Sequence, residues 1–232
     1  MRVLVLTSCT GQKAVETDAA LTQADFEDSA GLAAAEDRLR PFLRPAGAMY
    51  TGQQHVRAMR GVQAMRTALG ARAVEVAILS AGYGVVAETR SIAPYDVTFS
   101  GMSTTAIRTR GARLGVPAAA RSLLHERDIV FLLLGSDYLS ALDPPLPRWE
   151  GQRLVYFAKP SERRVRSDSV VVPAGKAEAG RYGAGLVALK GRMLELIGAA
   201  VRRNGAPVLD EIKADPTPRT LVGLLDREAG RV

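Results

Sequence analysis

The sequence is poor in the residues that most often announce a chemistry: 232 residues include one cysteine, two histidines and one tryptophan. A single cysteine excludes an intramolecular disulfide and any cysteine-based zinc cluster within one chain, and it fits a reducing compartment. The two histidines, His55 and His125, both fall in stretches of helical spacing, which speaks against a histidine-rich metal centre; no metal and no cofactor is expected. Long apolar runs are missing as well. Val3-Leu4-Val5-Leu6 is too short for a secretory leader or a membrane span, and Ile129 to Leu134 is again strand-length, so the reading is a cytoplasmic protein without a membrane partner. No Gly-x-x-x-x-Gly-Lys-Ser/Thr phosphate loop, no Gly-x-Ser-x-Gly elbow, no internal repeat and no low-complexity linker occurs.

What is present suits one generous core, since 47% of the residues are apolar. The formal net charge is +7 and the sequence pI about 9.9, with arginine far ahead of lysine. Guanidinium groups grip phosphate and carboxylate bidentately, so nucleic acid or a nucleotide is the first partner to consider. A GC-rich coding sequence, which enriches alanine, arginine and glycine together, accounts for the same charge.

Apolar and β-branched runs mark five strands: Arg2 to Thr7, Val74 to Ser80, Asp128 to Gly135, Arg153 to Ala158 and Ser169 to Pro173. Helical spacing occupies Thr17 to Arg40, Gly52 to Leu69 and Pro117 to Arg127 between them, and Leu186, Leu189, Met193, Leu196, Ile197 and Val201 predict one long amphipathic helix over Arg181 to Arg203. This alternation predicts an α/β fold with a mainly parallel or mixed sheet covered by helices. One domain over residues 1–232 is expected. Residues 206–232, with a helical stretch from Arg219 to Glu228, form a C-terminal appendage that reads as a lid, an oligomer contact or a loosely attached end. The oligomeric state is not legible.

In such sheets the ligand crevice lies beyond the C-terminal ends of the strands, which singles out three segments. The first is Ser8-Cys9-Thr10-Gly11-Gln12-Lys13, where exposed backbone N–H groups and Lys13 would favour the thiolate of Cys9, the nucleophilic form. A lone cysteine is nevertheless more often a small buried hydrophobe than a catalyst. The second is Ser80-Ala81-Gly82-Tyr83-Gly84, either a tight turn or a loop in which Gly82 and Gly84 admit a ligand to the backbone and Tyr83 offers a stacking face. Shortly after it, Pro94-Tyr95-Asp96 adds a carboxylate that could orient a base, transfer a proton or simply cap a helix. The third is Gly135-Ser136-Asp137-Tyr138, whose Ser136 and Asp137 suit a helix cap or the edge of a base. Arg108, Arg110 and Arg113 read as solvated charge. Arg163, Arg164 and Arg166, directly after a strand, read as a nucleic-acid contact.

Taken in order, Leu6-Thr7-Ser8-Cys9-Thr10-Gly11-Gln12-Lys13, Met49-Tyr50-Thr51-Gly52, Leu79 to Val86, Pro94-Tyr95-Asp96, Leu134 to Tyr138 and Tyr156-Phe157-Ala158-Lys159 resemble the YaaA-like family. The resemblance spans about the first two thirds of the chain, and ordered agreement of several weak motifs is more specific than any one of them. It implies an α/β fold with a concave basic surface and a tie to nucleic acid or its bases. One branch is associated with peroxide stress and DNA binding; relatives with a Ser-Cys-x-x-x-Lys opening resemble companions of base-modifying enzymes, including 7-deazaguanine DNA modification. Ser8-Cys9 stands where the stress-response branch has serine and proline, which favours the enzymatic reading.

The expectation is therefore an enzyme acting on a nucleobase, a nucleotide or a modified DNA base. Cys9 would be the nucleophile, Lys13 its activator or proton donor and Asp96 the base or orienter. Ser8, Tyr50, Gly52, Gly82, Tyr83, Gly84, Tyr95, Ser136, Asp137 and Lys159 would surround the substrate, and Arg163, Arg164 and Arg166 would meet phosphate. The alternative is a DNA-binding stress-response protein without turnover.

Overall fold

Val3–Ser8 (β1) and Ile129–Leu133 (β6) are buried at every position, so neither strand has a solvent face and both must lie inside a sheet covered on its two sides. The computed structural model, which describes residues 1–159, 162 and 164–231, shows that sheet. Val74–Ser80 (β3), Arg153–Ala158 (β7) and Val170–Pro173 (β8) run parallel to β1 and β6, and Gly84–Ala87 (β4) runs antiparallel to β3, giving six strands in the order β4-β3-β1-β6-β7-β8. A two-residue pair, Arg44–Pro45 (β2) with Ser91–Ile92 (β5), lies apart from it. The fold is α/β with a mostly parallel, mixed sheet.

From the central β1 the chain goes first to β3 on one side and later to β6 on the other. The C-terminal ends of β1 and β6 therefore flank the point where strand order reverses, the place where open α/β sheets leave a crevice. Everything at the candidate site follows from this.

The helices start where capping chemistry permits. Ser29–Arg38 (α1) begins after Asp28, whose carboxylate accepts the N–H groups of Ala30 and Gly31 at 3.1 and 2.8 Å. Ala46–Met49 (α2) is one turn, and Gln53–Leu69 (α3) follows Gly52, which offers its first turn no side-chain cap. Thr104–Arg113 (α4) is capped by Ser103, and Val116–Leu124 (α5) carries Pro117 in its first turn. Ser136–Ala141 (α6) and Lys176–Arg181 (α7) are short; Leu189–Asn204 (α8) is long; Pro207–Ala214 (α9) and Arg219–Glu228 (α10) close the chain.

Three expectations need correcting. The helix expected over Arg181 to Arg203 forms only from Leu189 as α8: α7 stops at Arg181, Gly183 takes a left-handed φ of 65°, and Leu186 lies in the connecting segment, 51% exposed, instead of in the apolar stripe. Of the helical stretch from Thr17 to Arg40 only α1 and a three-residue 3-10 turn at Ala24–Phe26 form, because Leu21 makes an isolated parallel bridge with Tyr95 and Asp28 resets the start. Gly82-Tyr83 is the turn of the β3–β4 hairpin and does not open to a ligand: a side chain at Gly82 would strike the Phe26 ring, and one at Gly84 the Leu114 carbonyl.

The tail is packed. Leu209, Ile212, Leu221 and Leu225 are buried, α9 and α10 lie on α8, and Lys213 bonds Asp128 at 2.5 Å while its carbonyl accepts two bonds from Arg153. Asp128 and Arg153 mark the N-terminal ends of β6 and β7, so α9 is held at the edge opposite the crevice. Among the described residues no helix is long and apolar enough to cross a membrane.

Candidate active site at the strand switch point

Cys9 directly follows β1, its backbone N–H donating to the Leu79 carbonyl at 2.9 Å, which continues the β1–β3 ladder by one residue. It is 8% exposed and lies on the wall of a cleft of about 720 Å³. The cleft is bounded by Ser8 to Gln12, by the first turn of α3 from Gly52 to Gln54 with Arg57, and by Gly185 to Ala188. The backbone of Gly52 comes so close to Thr10 that a Cβ there would sit 2.6 Å from the threonine Cβ, so only glycine lets the β1 loop and α3 meet at this wall. Gln54 bridges the crevice itself, its amide donating to Ser8 Oγ at 3.3 Å and to the Leu133 carbonyl of β6 at 3.1 Å.

Three tyrosines stand behind the thiol. Cys9 Sγ is 3.1 Å from Tyr138 Oη; the Tyr50 and Tyr95 hydroxyls are 2.8 Å apart; and Ser80 Oγ donates to Tyr95 Oη at 2.7 Å. Burial, and then the negative charge of a Cys9 thiolate, push all three phenols well above their ordinary range. They stay protonated, and the Tyr138 hydroxyl lies within hydrogen-bond distance of the Cys9 sulfur, at 3.1 Å.

Lys13 stacks its ammonium over the Tyr95 ring at 4.5 Å and donates to the Gly11 carbonyl at 3.4 Å. Burial lowers its pKa, while the neighbouring Cys9 and Asp96 work in the opposite sense. Lys13, Tyr95 and exposed Asp96 line a separate depression of about 290 Å³ that shares Gly11 with the Cys9 cleft.

A second cleft, of about 510 Å³, opens at the ends of β6 and β7. Ser136, Lys159, Glu162, Arg164 and Lys190 line it, and Leu186 belongs to the walls of both large clefts. Arg164 is held there by Glu162 at 2.9 Å and by the Ser136 carbonyl and Ser140 Oγ, each at 2.6 Å. Lys190, on the first turn of α8, donates to the Leu134 carbonyl, and burial lowers its pKa to about 8.

The residues singled out from sequence thus divide. Ser8, Cys9 and Gly52 share the first cleft; Lys13, Tyr95 and Asp96 the adjoining depression; Ser136, Lys159 and Arg164 the second cleft. Tyr50 lies beneath Cys9 as part of the phenol cluster. Tyr83 does not reach the crevice: Phe26 and Tyr95 pack edge-on against its ring at 4.9 and 5.5 Å, and its hydroxyl accepts the Ala93 N–H, so it holds the hairpin in place and has no free face for a base. Gly82 and Gly84 belong to the same hairpin, and Asp137 is exposed outside the clefts. Arg166 is paired with Asp168 at 2.9 Å, and Arg163 lies outside the described residues. His55 is buried with Nε2 on the Gly47 carbonyl at 2.9 Å, and burial lowers its pKa.

Sequence reasoning missed Gln54, Tyr138 and Lys190 as site residues. Tyr138 stood inside a segment already singled out. Lys190 carried a signal in its position, a cation between Leu189 and Gly191 at the start of an apolar helix face. Gln54 carried none.

Fold and site together define an open-sheet α/β protein with a cysteine at its switch-point crevice. A family model described as a family of unknown function, DUF6884, matches residues 33–157, and the chain belongs to that family. The matched span starts after Cys9 and ends before Lys190. No curated protein and no solved structure matches the chain.

Proposed function

We propose that the protein is an enzyme acting on a nucleobase, a nucleotide or a modified DNA base, with Cys9 as the nucleophile. The observation that carries this reading is the thiol on the wall of the switch-point cleft, 3.1 Å from the hydroxyl of the half-buried Tyr138. The uncapped first turn of α3 lines the same cleft, and its free N–H groups favour an anion there. The YaaA-like resemblance of the surrounding segments directs the reading toward bases, and the volume of the cleft suits one.

The step this geometry supports is addition. The Cys9 thiolate forms a C–S bond to an electrophilic ring or nitrile carbon, one C–N π bond breaks, and its electron pair goes to nitrogen, which takes a proton from Lys13 or water. No oxidant or leaving group is needed. A non-catalytic DNA-binding role has less support, since Arg166, expected to meet phosphate, is already paired with Asp168.

The test is a nitrile-bearing 7-deazapurine incubated with the protein and followed by intact-mass spectrometry. An adduct of the full probe mass is expected on the wild type and none on Cys9→Ser. Tyr138→Phe should form it about tenfold more slowly, because a hydrogen bond to a charged group is worth roughly 1.5–3 kcal/mol. No adduct on the wild type, or one that persists in Cys9→Ser, ends the proposal.

A further inference from the structure

We infer that the second cleft is a subsite for a phosphate monoester, so that the molecule reaching Cys9 is a nucleotide and not a free base. The inference rests on the reading of Cys9 as the reacting group. Among the described residues, Lys159, Arg164 and Lys190 bring three cations to a cleft with one carboxylate, Glu162, and that carboxylate is bound to Arg164. The excess of positive charge matches a dianion better than a singly charged carboxylate.

The side chains are also placed for the task. A Cβ on Gly191 would lie 2.1 Å from the Gln54 carbonyl oxygen, so the glycine seats the first turn of α8 against the first turn of α3 and fixes Lys190 beside the end of β6. Among the described residues its ammonium bonds only the Leu134 carbonyl, leaving two of its three donors for a ligand. Arg164 is clamped by the Ser136 carbonyl and Ser140 Oγ, and exposed Lys159 lines the same cleft. A poorly hydrated ammonium gains most from an anion, and the lowered pKa of Lys190 agrees with that environment. Leu186 walls both clefts, so one ligand passing it joins Cys9 to Lys190.

The experiment is calorimetric titration of the full chain at pH 7 with inorganic phosphate, with a nucleoside 5′-monophosphate and with the parent nucleoside. The monophosphate is expected to bind at least tenfold more tightly than the nucleoside. Lys190→Met, and separately the exposed Lys159→Ala, should weaken phosphate and monophosphate binding severalfold or more and leave the nucleoside unchanged. Cys9→Ser should leave phosphate binding intact. Phosphate that does not bind, or binds both lysine variants as it binds the wild type, overturns the subsite. That outcome leaves the nitrile adduct on Cys9 untouched, whereas loss of the adduct with phosphate binding intact counts against the Cys9 reading alone.

Discussion

At the scale of single residues, the buried ammonium of Lys190 works against stability. Burial lowers its pKa from the ordinary 10.5 to about 8, so between those values the unfolded chain holds a proton that the folded chain has released. Stability contributed at this site therefore rises with pH from about 8 to 10.5, and below 8 the cost of burying the ammonium is fully present. Lys190→Met removes that cost. The variant should melt higher than the wild type at pH 7 by on the order of 5 °C, taking about 1.4 kcal/mol for each tenfold change in proton affinity and about 2–4 °C per kcal/mol, less the bond lost to Leu134. The difference should narrow as the pH approaches 10.5. Thermal melts of both proteins across that range decide the matter, and a variant that melts lower at pH 7 refutes it. Residues of this kind are hard to read from sequence. Cys9 and Lys13 were legible because a strand end marks its successors, whereas Lys190 belongs to the site only through the packing of α8, 56 residues after the carbonyl it bonds.

At the scale of elements, β1, β3, β6, β7 and β8 and the helices α3 and α5 were legible because their signals are local: a run of buried β-branched residues, helical spacing of apolar residues, a proline in a first turn. β4 was not, since four residues starting in a Gly-Tyr-Gly turn give no periodicity, and their strand character comes from pairing with β3. The 181–203 segment misled for the opposite reason. Its apolar spacing continues across Gly183 and Gly185, but a left-handed glycine ends the helix and swings Leu186 and Val187 out, with Val187 82% exposed at the cleft mouth. Packing of α8 on α3 likewise depends on glycines whose partners are distant in sequence. A Cβ on Gly198 would lie 2.3 Å from the Gly61 carbonyl oxygen, and one on Gly61 would lie 2.4 Å from the Leu194 carbonyl oxygen. Gly198→Ala gains about 1 kcal/mol of helix propensity. It also drives a methyl group into backbone that cannot rotate away, and overpacking costs about 1–3 kcal/mol or more. The clash should win, lowering the denaturation midpoint by the equivalent of about 1–2 kcal/mol. A variant as stable as the wild type in urea would mean that α8 yields more easily than this contact implies.

At the scale of the whole molecule, the C-terminal residues are part of the core that positions both clefts. α8 carries Lys190 at one end and packs chiefly on α3, while α9 and α10 lie on it with Leu209, Ile212, Leu221, Leu224 and Leu225 buried. Each fully buried side chain of that size is worth about 1.5–3 kcal/mol. Five of them approach the whole stability of an ordinary domain, about 5–15 kcal/mol. Ion pairs of Lys213 with Asp128, Arg181 with Asp226 and Arg203 with Glu228 add fixed points but matter less, since two of the three arginine or lysine partners are largely exposed. A detachable appendage would leave the remaining chain folded with its melting temperature shifted by a few degrees at most. Truncation after Asn204 should instead strip α8 of its cover, loosen Lys190 and the Leu186 wall between the clefts, and yield a chain without a cooperative thermal transition. Circular dichroism melts of the full and truncated proteins, at matched concentration, distinguish the two: a truncated chain that unfolds sharply near the wild-type temperature would detach the tail from the core and, with it, from any part in holding the site.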